Sequence, residues 1–167
     1  ATDIVAAEIV ASVCETLVRV RPGSLRTEGV LATSWASSDQ RVWTFTLRQN
    51  VRFQDGTPLD ADAVVGNLEH LRRERAFPGR ARRVGPHLVQ VTLDRPNAAL
   101  LSPLSQPFFA MQSPRRLSGP EDSLPVGTGP FRLVQWRRSS LLVLEKNPAY
   151  REVFYEAEPA ADDAEGR

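Results

Sequence analysis

A mixed α/β domain is what the sequence predicts, and three observations carry that expectation. One amphipathic helix with signals at both ends spans roughly residues 60–75. Strand-like alternation recurs at 42–47, 88–93, 131–136 and 141–145. The elements run helix, strands, helix, strand, short helix, strands, without the regular βαβ alternation of a doubly wound sheet.

From the N-terminus, Asp3 can cap a first helix, and Ile4, Val5, Ile9, Val10 and Val13 give it an apolar face. Leu17–Arg21 alternates as a short strand that Pro22-Gly23 stops. Leu31–Trp35 and Val42–Leu47 flank the turn residues Ser37-Ser38-Asp39-Gln40, which predicts a hairpin. Asn50–Phe53 is extended and ends at Asp55-Gly56, a dipeptide suited to positive φ. Asp60 or Asp62 opens the amphipathic helix, whose stripe is Ala61, Val64, Val65, Leu68 and Leu71. Acids lie near its start and Arg72, Arg73 and Arg75 near its end, as the helix dipole favours. Phe77-Pro78-Gly79 breaks it. Leu88–Leu93 reads as a half-buried strand, Ala98–Leu104 as a short helix, and Phe108–Met111 as a compact apolar segment between Pro107 and Pro114. A loop from Ser118 to Pro130 then leads into the strands Phe131–Trp136 and Leu141–Glu145, closed by Asn147-Pro148.

Composition narrows the function. The 167 residues are 41% hydrophobic and 25% charged, an ordinary globular balance, and no apolar run approaches the ~20 residues of a membrane span. The single cysteine, Cys14, sits in an apolar run and reads as a small buried hydrophobe. It leaves no intrachain disulfide and no cysteine-based zinc cluster. The net charge of +1 hides a split: residues 152–167 carry Arg167 against Glu152, Glu156, Glu158, Asp162, Asp163 and Glu165. Twenty of the 21 basic residues are arginine, but they are dispersed rather than striped among aromatics, so no nucleic-acid groove is expected. Asp60 and Asp62 lie two apart on a helix and do not face together, so they predict capping and no metal. Gly127-Thr128-Gly129 precedes Pro130 and a strand rather than a helix, which makes it a structural turn and not a phosphate loop. His70 and His87 lie far from Cys14 in sequence, have no triad context and read as structural or surface residues. No nucleophile, base and orienter come together, which argues against an enzyme, and no cofactor is expected.

Seven stretches, in order, resemble the extracytoplasmic solute-binding proteins, family 5, of ABC transporters for dipeptides, oligopeptides and nickel complexes. They are Glu15-Thr16-Leu17, Leu31-Ala32-Thr33-Ser34-Trp35, Thr44-Phe45-Thr46-Leu47-Arg48, Val51–Pro58 with its Asp55-Gly56 turn, Ala61-Asp62-Ala63-Val64, Pro125–Phe131, and Asn147-Pro148-Ala149-Tyr150. Asp55, Gly56, Gly127, Thr128, Gly129 and Pro130 are the structural positions of these motifs. Two departures stand out: Gln54 where the family often has histidine, and Cys14 where an aromatic is common.

The resemblance implies one lobe of a periplasmic-binding-protein-like (class II) two-lobe receptor, a mixed sheet with flanking helices and hairpins. Residues 1–151 would be the first lobe, with the variable subdomain reduced to a loop near 76–86, and 152–167 the start of the crossover into a second lobe. It implies that the full receptor clamps a peptide or other small solute between its lobes and docks on an ABC permease. Its place would be periplasmic, or lipid-anchored at the cell surface. The chain alone would be monomeric and a weak binder. The cleft wall would come from Gln106, Phe108, Phe109 and Met111, with Thr2 and Asp3 nearby. A sensor or interaction module reusing the lobe without transport is the alternative.

Overall fold

The computed structural model describes residues 2–120, 123–137 and 140–151, with side chains from residue 6 onward. In chain order the elements are α1 (Thr2–Val13), β1 (Val18–Val20), β2 (Thr27–Gly29), β3 (Ala32–Ala36), β4 (Val42–Leu47), α2 (Ala61–Arg73), β5 (Gly79–Gly85) and β6 (Leu88–Leu93). Then come α3 (Leu101–Leu104), a 3-10 turn (Pro107–Phe109), α4 (Pro114–Leu117), β7 (Phe131–Arg137) and β8 (Leu141–Lys146). The strands form an antiparallel four-stranded sheet of order β3-β4-β6-β5 and two hairpins, β1-β2 and β7-β8.

The β3–β4 hairpin forms at the turn its residues indicate. The Asp39 carboxylate accepts from the backbone N–H groups of Arg41 (2.9 Å) and Val42 (2.8 Å), and Gln40 takes a positive φ of 58°. In α2, Asp60 is the N-cap and accepts from the Ala63 N–H at 2.9 Å. Asp62 does not cap; it pairs with Arg83 of β5 at 2.6 Å. Asp3 lies inside α1 rather than ahead of it.

Two cores result. In the larger, Trp43, Phe45, Val89, Val91 and Leu93 of the sheet pack with Val64 and Leu68 of α2, together with Leu17, Leu31, Phe53 and Leu104. In the smaller, Ile9, Val13 and Cys14 of α1 and its end meet Leu133 of β7, with Trp136 and Leu144 half-buried beside them. The segment after α3 joins the two, because Ala110 belongs to the smaller core while Phe109 and Met111 belong to the larger.

Three elements depart from the sequence expectation. The loop expected at 76–86 is edge strand β5, paired with β6 from Gly79↔Leu93 to Gly85↔Leu88. Its arginine-rich run lacks the apolar alternation that marks a strand. It forms because β6 offers a ladder and because Glu69 of α2 accepts from the Ala81 N–H at 3.0 Å. Likewise β2 forms against β1, and α4 interrupts what reads as a loop, capped by Ser113, which accepts from the Arg115 N–H at 3.2 Å.

Candidate functional site

An open cavity of about 490 Å³ lies where the two cores meet. Its walls are Ala6, Ala7 and Val10 of α1, His70, Leu71 and Glu74 at the end of α2, and Pro107, Phe108, Ala110 and Gln112 between them. The spacing of Ala6, Ala7 and Val10 places them along one side of α1, while Ile9 and Val13 turn into the smaller core. A second cavity of about 210 Å³ lies across Pro107 and Ala110, which line both, and it is bordered by Cys14, Glu15, Thr16 and Arg19.

Of the four residues expected to form a cleft wall, only Phe108 lines the larger cavity. It is 64% exposed and stands edge-on to Phe109, with centroids 5.6 Å apart. Phe109 and Met111 are corrected to core residues. Phe109 is buried against Phe77 at 6.4 Å, and Met111 is fully buried, its N–H donating to the Glu15 carbonyl at 2.8 Å. Successive side chains of an extended or tightly turned segment cannot all face one way, and the apolar residues with room beneath them are drawn inward. Gln106 is exposed ahead of the turn and does not line the cavity. Thr2 and Asp3 fall within α1, but their side chains lie outside the described residues.

The wall is held by side chains that replace strand partners, one of which, Asn67, also lines the cavity. Asn67 of α2, 4% exposed, donates to the Gln112 carbonyl at 2.8 Å and accepts from the Gln112 N–H at 2.9 Å; it also donates to the Ala63 carbonyl at 2.9 Å. One residue on, the Ser113 N–H donates to the Val126 carbonyl at 2.8 Å and its hydroxyl donates to Asp55. Asp55 also accepts from the hydroxyl (2.6 Å) and N–H (3.0 Å) of Thr57. Partial burial pushes the Asp55 carboxyl up, but the hydrogen bonds of Ser113 and Thr57, with the charge of Arg115, outweigh it. They hold the group below the usual carboxylate range. Gly56 takes φ 84°, the left-handed turn that the Asp-Gly dipeptide supplies.

The Gly127–Pro130 turn is a close-packing device. A Cβ on Gly127 would lie 2.5 Å from Cys14 Cα, and one on Gly129 would lie 2.7 Å from the Val13 carbonyl oxygen, so glycine alone lets this turn press on the end of α1. The Gly129 N–H donates to that carbonyl at 2.8 Å, and Gln54 reaches the Val13 and Phe131 carbonyls at 3.2 and 2.6 Å. Asn147 closes the turn by donating to the Gly129 carbonyl at 2.9 Å. Cys14, sealed beneath, has its thiol pushed up to about 12, mainly by burial and then by the charge of Glu15. It is an inert packing group.

Glu15 is the least expected member of the site. Its carboxylate, 9% exposed, accepts from the Thr128 hydroxyl at 2.8 Å, the Tyr150 hydroxyl at 3.4 Å and both outer nitrogens of Arg151 at 2.8 and 2.7 Å. Arg151 also lies 5.3 Å over the Tyr150 ring. Burial works against the Arg151 charge, but the hydrogen bonds and charge of Glu15 hold its pKa above the ordinary arginine value. Three motifs distant in sequence thus meet on one carboxylate. Glu15, Thr128 and Tyr150 stand within motifs identified from the sequence, whereas Asn67, Ser113 and Arg151 had no such signal. The clue to Glu15 was an acid directly following an apolar helix face.

The arrangement offers an apolar hollow with polar groups at its edge and a rigid support. Among the described residues, no cluster of His, Cys, Asp and Glu could hold a metal ion, and no helix is long and apolar enough to cross a membrane.

Residues 26–164 match the family model described as bacterial extracellular solute-binding proteins, family 5 Middle. The chain is 38% identical to the probable D,D-dipeptide-binding periplasmic protein DdpA of Escherichia coli K12, over 77% of this chain and 28% of that protein. It is 35% identical to the glutathione-binding protein GsiB of Salmonella paratyphi A, over 75% of this chain and 27% of that one. Among solved structures, NikA from Brucella suis in complex with Fe(III)-EDTA superposes with a TM-score of 0.79 at 31% identity, covering 86% of this chain and 32% of that one. The periplasmic binding protein DppA from Helicobacter pylori in complex with the peptide STSA gives 0.73 at 25%, covering 86% and 35%. The chain therefore spans roughly a quarter to a third of the length of these proteins.

Proposed function

Since the chain belongs to the family 5 bacterial extracellular solute-binding proteins, we propose that it is the first lobe of a receptor that captures peptides or related small solutes for an ABC importer. Residues 1–151 belong to that lobe; residues 152–167, read from the sequence as the start of a crossover into a second lobe, lie outside the described residues. The receptor works outside the cytoplasm, and the closed, loaded form presents itself to a membrane permease. The chain acts as a binder and not as a catalyst, in keeping with relatives that are named as binding proteins.

One observation carries this reading. The larger cavity opens beside an exposed aromatic, Phe108, on a segment held by the Asn67 side chain, the Asp55 carboxylate and the Glu15 backbone carbonyl. A pre-formed, mainly apolar hollow on a rigid frame is what a ligand-binding wall requires. One wall buries only part of a ligand, so the lobe alone is a weak binder and the second lobe supplies the remaining contacts.

Calorimetric titration with dipeptides tests this. The parent receptor is expected to bind on the order of micromolar or tighter, and the 167-residue chain on the order of millimolar. Submicromolar binding by these 167 residues alone would contradict the one-wall reading. Failure of the parent receptor to bind any peptide or small solute would remove the transport role.

A further inference from the structure

We propose that this cavity wall selects solutes carrying an ammonium or similar cationic group next to an apolar one, and disfavours anionic solutes. The proposal rests on the cleft-wall reading above. Twenty of the 21 basic residues of the chain are arginine, yet no arginine or lysine is among the described residues that line the cavity. Among the described lining residues, the acidic one is Glu74, whose side chain is 61% exposed at the rim. His70 stands beside it, its Nε2 3.9 Å from the Glu74 carboxylate.

Backbone electrostatics act in the same direction. Glu74 is the C-cap of α2, its N–H bonded to the His70 carbonyl, so the cavity meets the helix end where carbonyl oxygens concentrate partial negative charge. The dipole effect fades within a turn, and Ala6, the first of the described lining residues of α1, lies more than a turn from the helix start at Thr2. Arg72 and Arg73 lie in the last turn of α2 and Arg75 just beyond its cap, but none lines the cavity, and Arg72 is paired with Glu69 at 3.8 Å. The remaining wall, Val10, Leu71, Phe108 and Ala110, suits an apolar side chain, and the exposed face of Phe108 attracts a cation as well as an apolar surface.

The test is an NMR titration of the isotope-labelled 167-residue chain with three probes that share the Leu-Phe side chains and differ in charge: Leu-Phe amide (cationic), N-acetyl-Leu-Phe amide (neutral) and N-acetyl-Leu-Phe (anionic). Shifts are read at the amides of Ala7, Val10, Leu71, Phe108 and Ala110. Affinity is expected to fall from cation to neutral to anion by at least about threefold per step, and the gap to narrow as added salt screens the rim. Glu74→Gln is expected to bring the cationic and neutral probes within about twofold. If the neutral or anionic probe binds this wall as tightly as the cation, the charge preference is wrong while the cleft wall stands. If no probe moves these amides, the cleft-wall reading fails and the preference falls with it.

Discussion

The segment from Pro107 to Ser113 has two sides, and they are built differently. On one side its backbone is tied to three distant stretches of chain, Met111 to Glu15, Gln112 to Asn67 and Ser113 to Val126, and the Ser113 hydroxyl adds a bond to the Asp55 carboxylate. In front, Phe108 and the small residues Ala6 and Ala7 border an open hollow. A binding surface benefits from uncommitted side chains on a backbone that does not move, since ordering costs met during folding are not met again on binding. The adjacent residues Phe108 and Phe109 show the contrast most sharply, one 64% exposed and the other 9%.

The strongest challenge to the contrast is therefore Phe109→Ala. It should cost about 3–4 kcal/mol of stability by chemical denaturation, the range for emptying a buried aromatic site. Glu15→Ala should cost about 3 kcal/mol, because it strands Arg151 and the Thr128 hydroxyl in a partly buried place. A loss below about 1 kcal/mol would mean that the carboxylate is not the anchor described. Asn67→Leu removes both partners of the Gln112 backbone and should cost about 2 kcal/mol.

A smaller effect, about 1 kcal/mol at neutral pH, is expected for Asp55→Asn. Its sign with pH follows from a folded-state pKa held below the unfolded one. The stabilisation is present above the unfolded value of about 3.9 and is lost as pH falls through the lower folded value. The gap between Asp55→Asn and the unsubstituted chain should thus close on acidification below about pH 4, as urea denaturation across pH would record. Phe108→Ala should change stability by no more than about 0.5 kcal/mol, while removing the shift perturbations expected from apolar probes. A large stability loss there would place Phe108 in the core and undo the distinction between front and back.

Much of this fold was legible in sequence because the relevant signals are local. Alternation marked β4, β6, β7 and β8, the Asp60 cap marked α2, and Asp55-Gly56 marked a turn. β5 was not legible, since Arg80, Arg82 and Arg83 describe a solvated edge and only pairing with β6 makes the run a strand. The candidate site was half legible. An apolar segment between prolines indicated where a wall would be, but not which side chains would face out, and Met111 and Phe109 turned inward.

What the sequence determined by itself was the family, the longer helix, the alternating strands and the turns between them, because each rests on neighbours in the chain whose φ preferences, caps and periodicity act over a few residues. Tertiary structure alone decided that residues 128, 150 and 151 share the Glu15 carboxylate, that Asn67 serves as a strand partner to Gln112, and that no arginine is among the described residues of the cavity wall. Those are contacts across tens of residues. They are selected by burial, since a polar group withdrawn from water must find whichever partner the packing brings within reach.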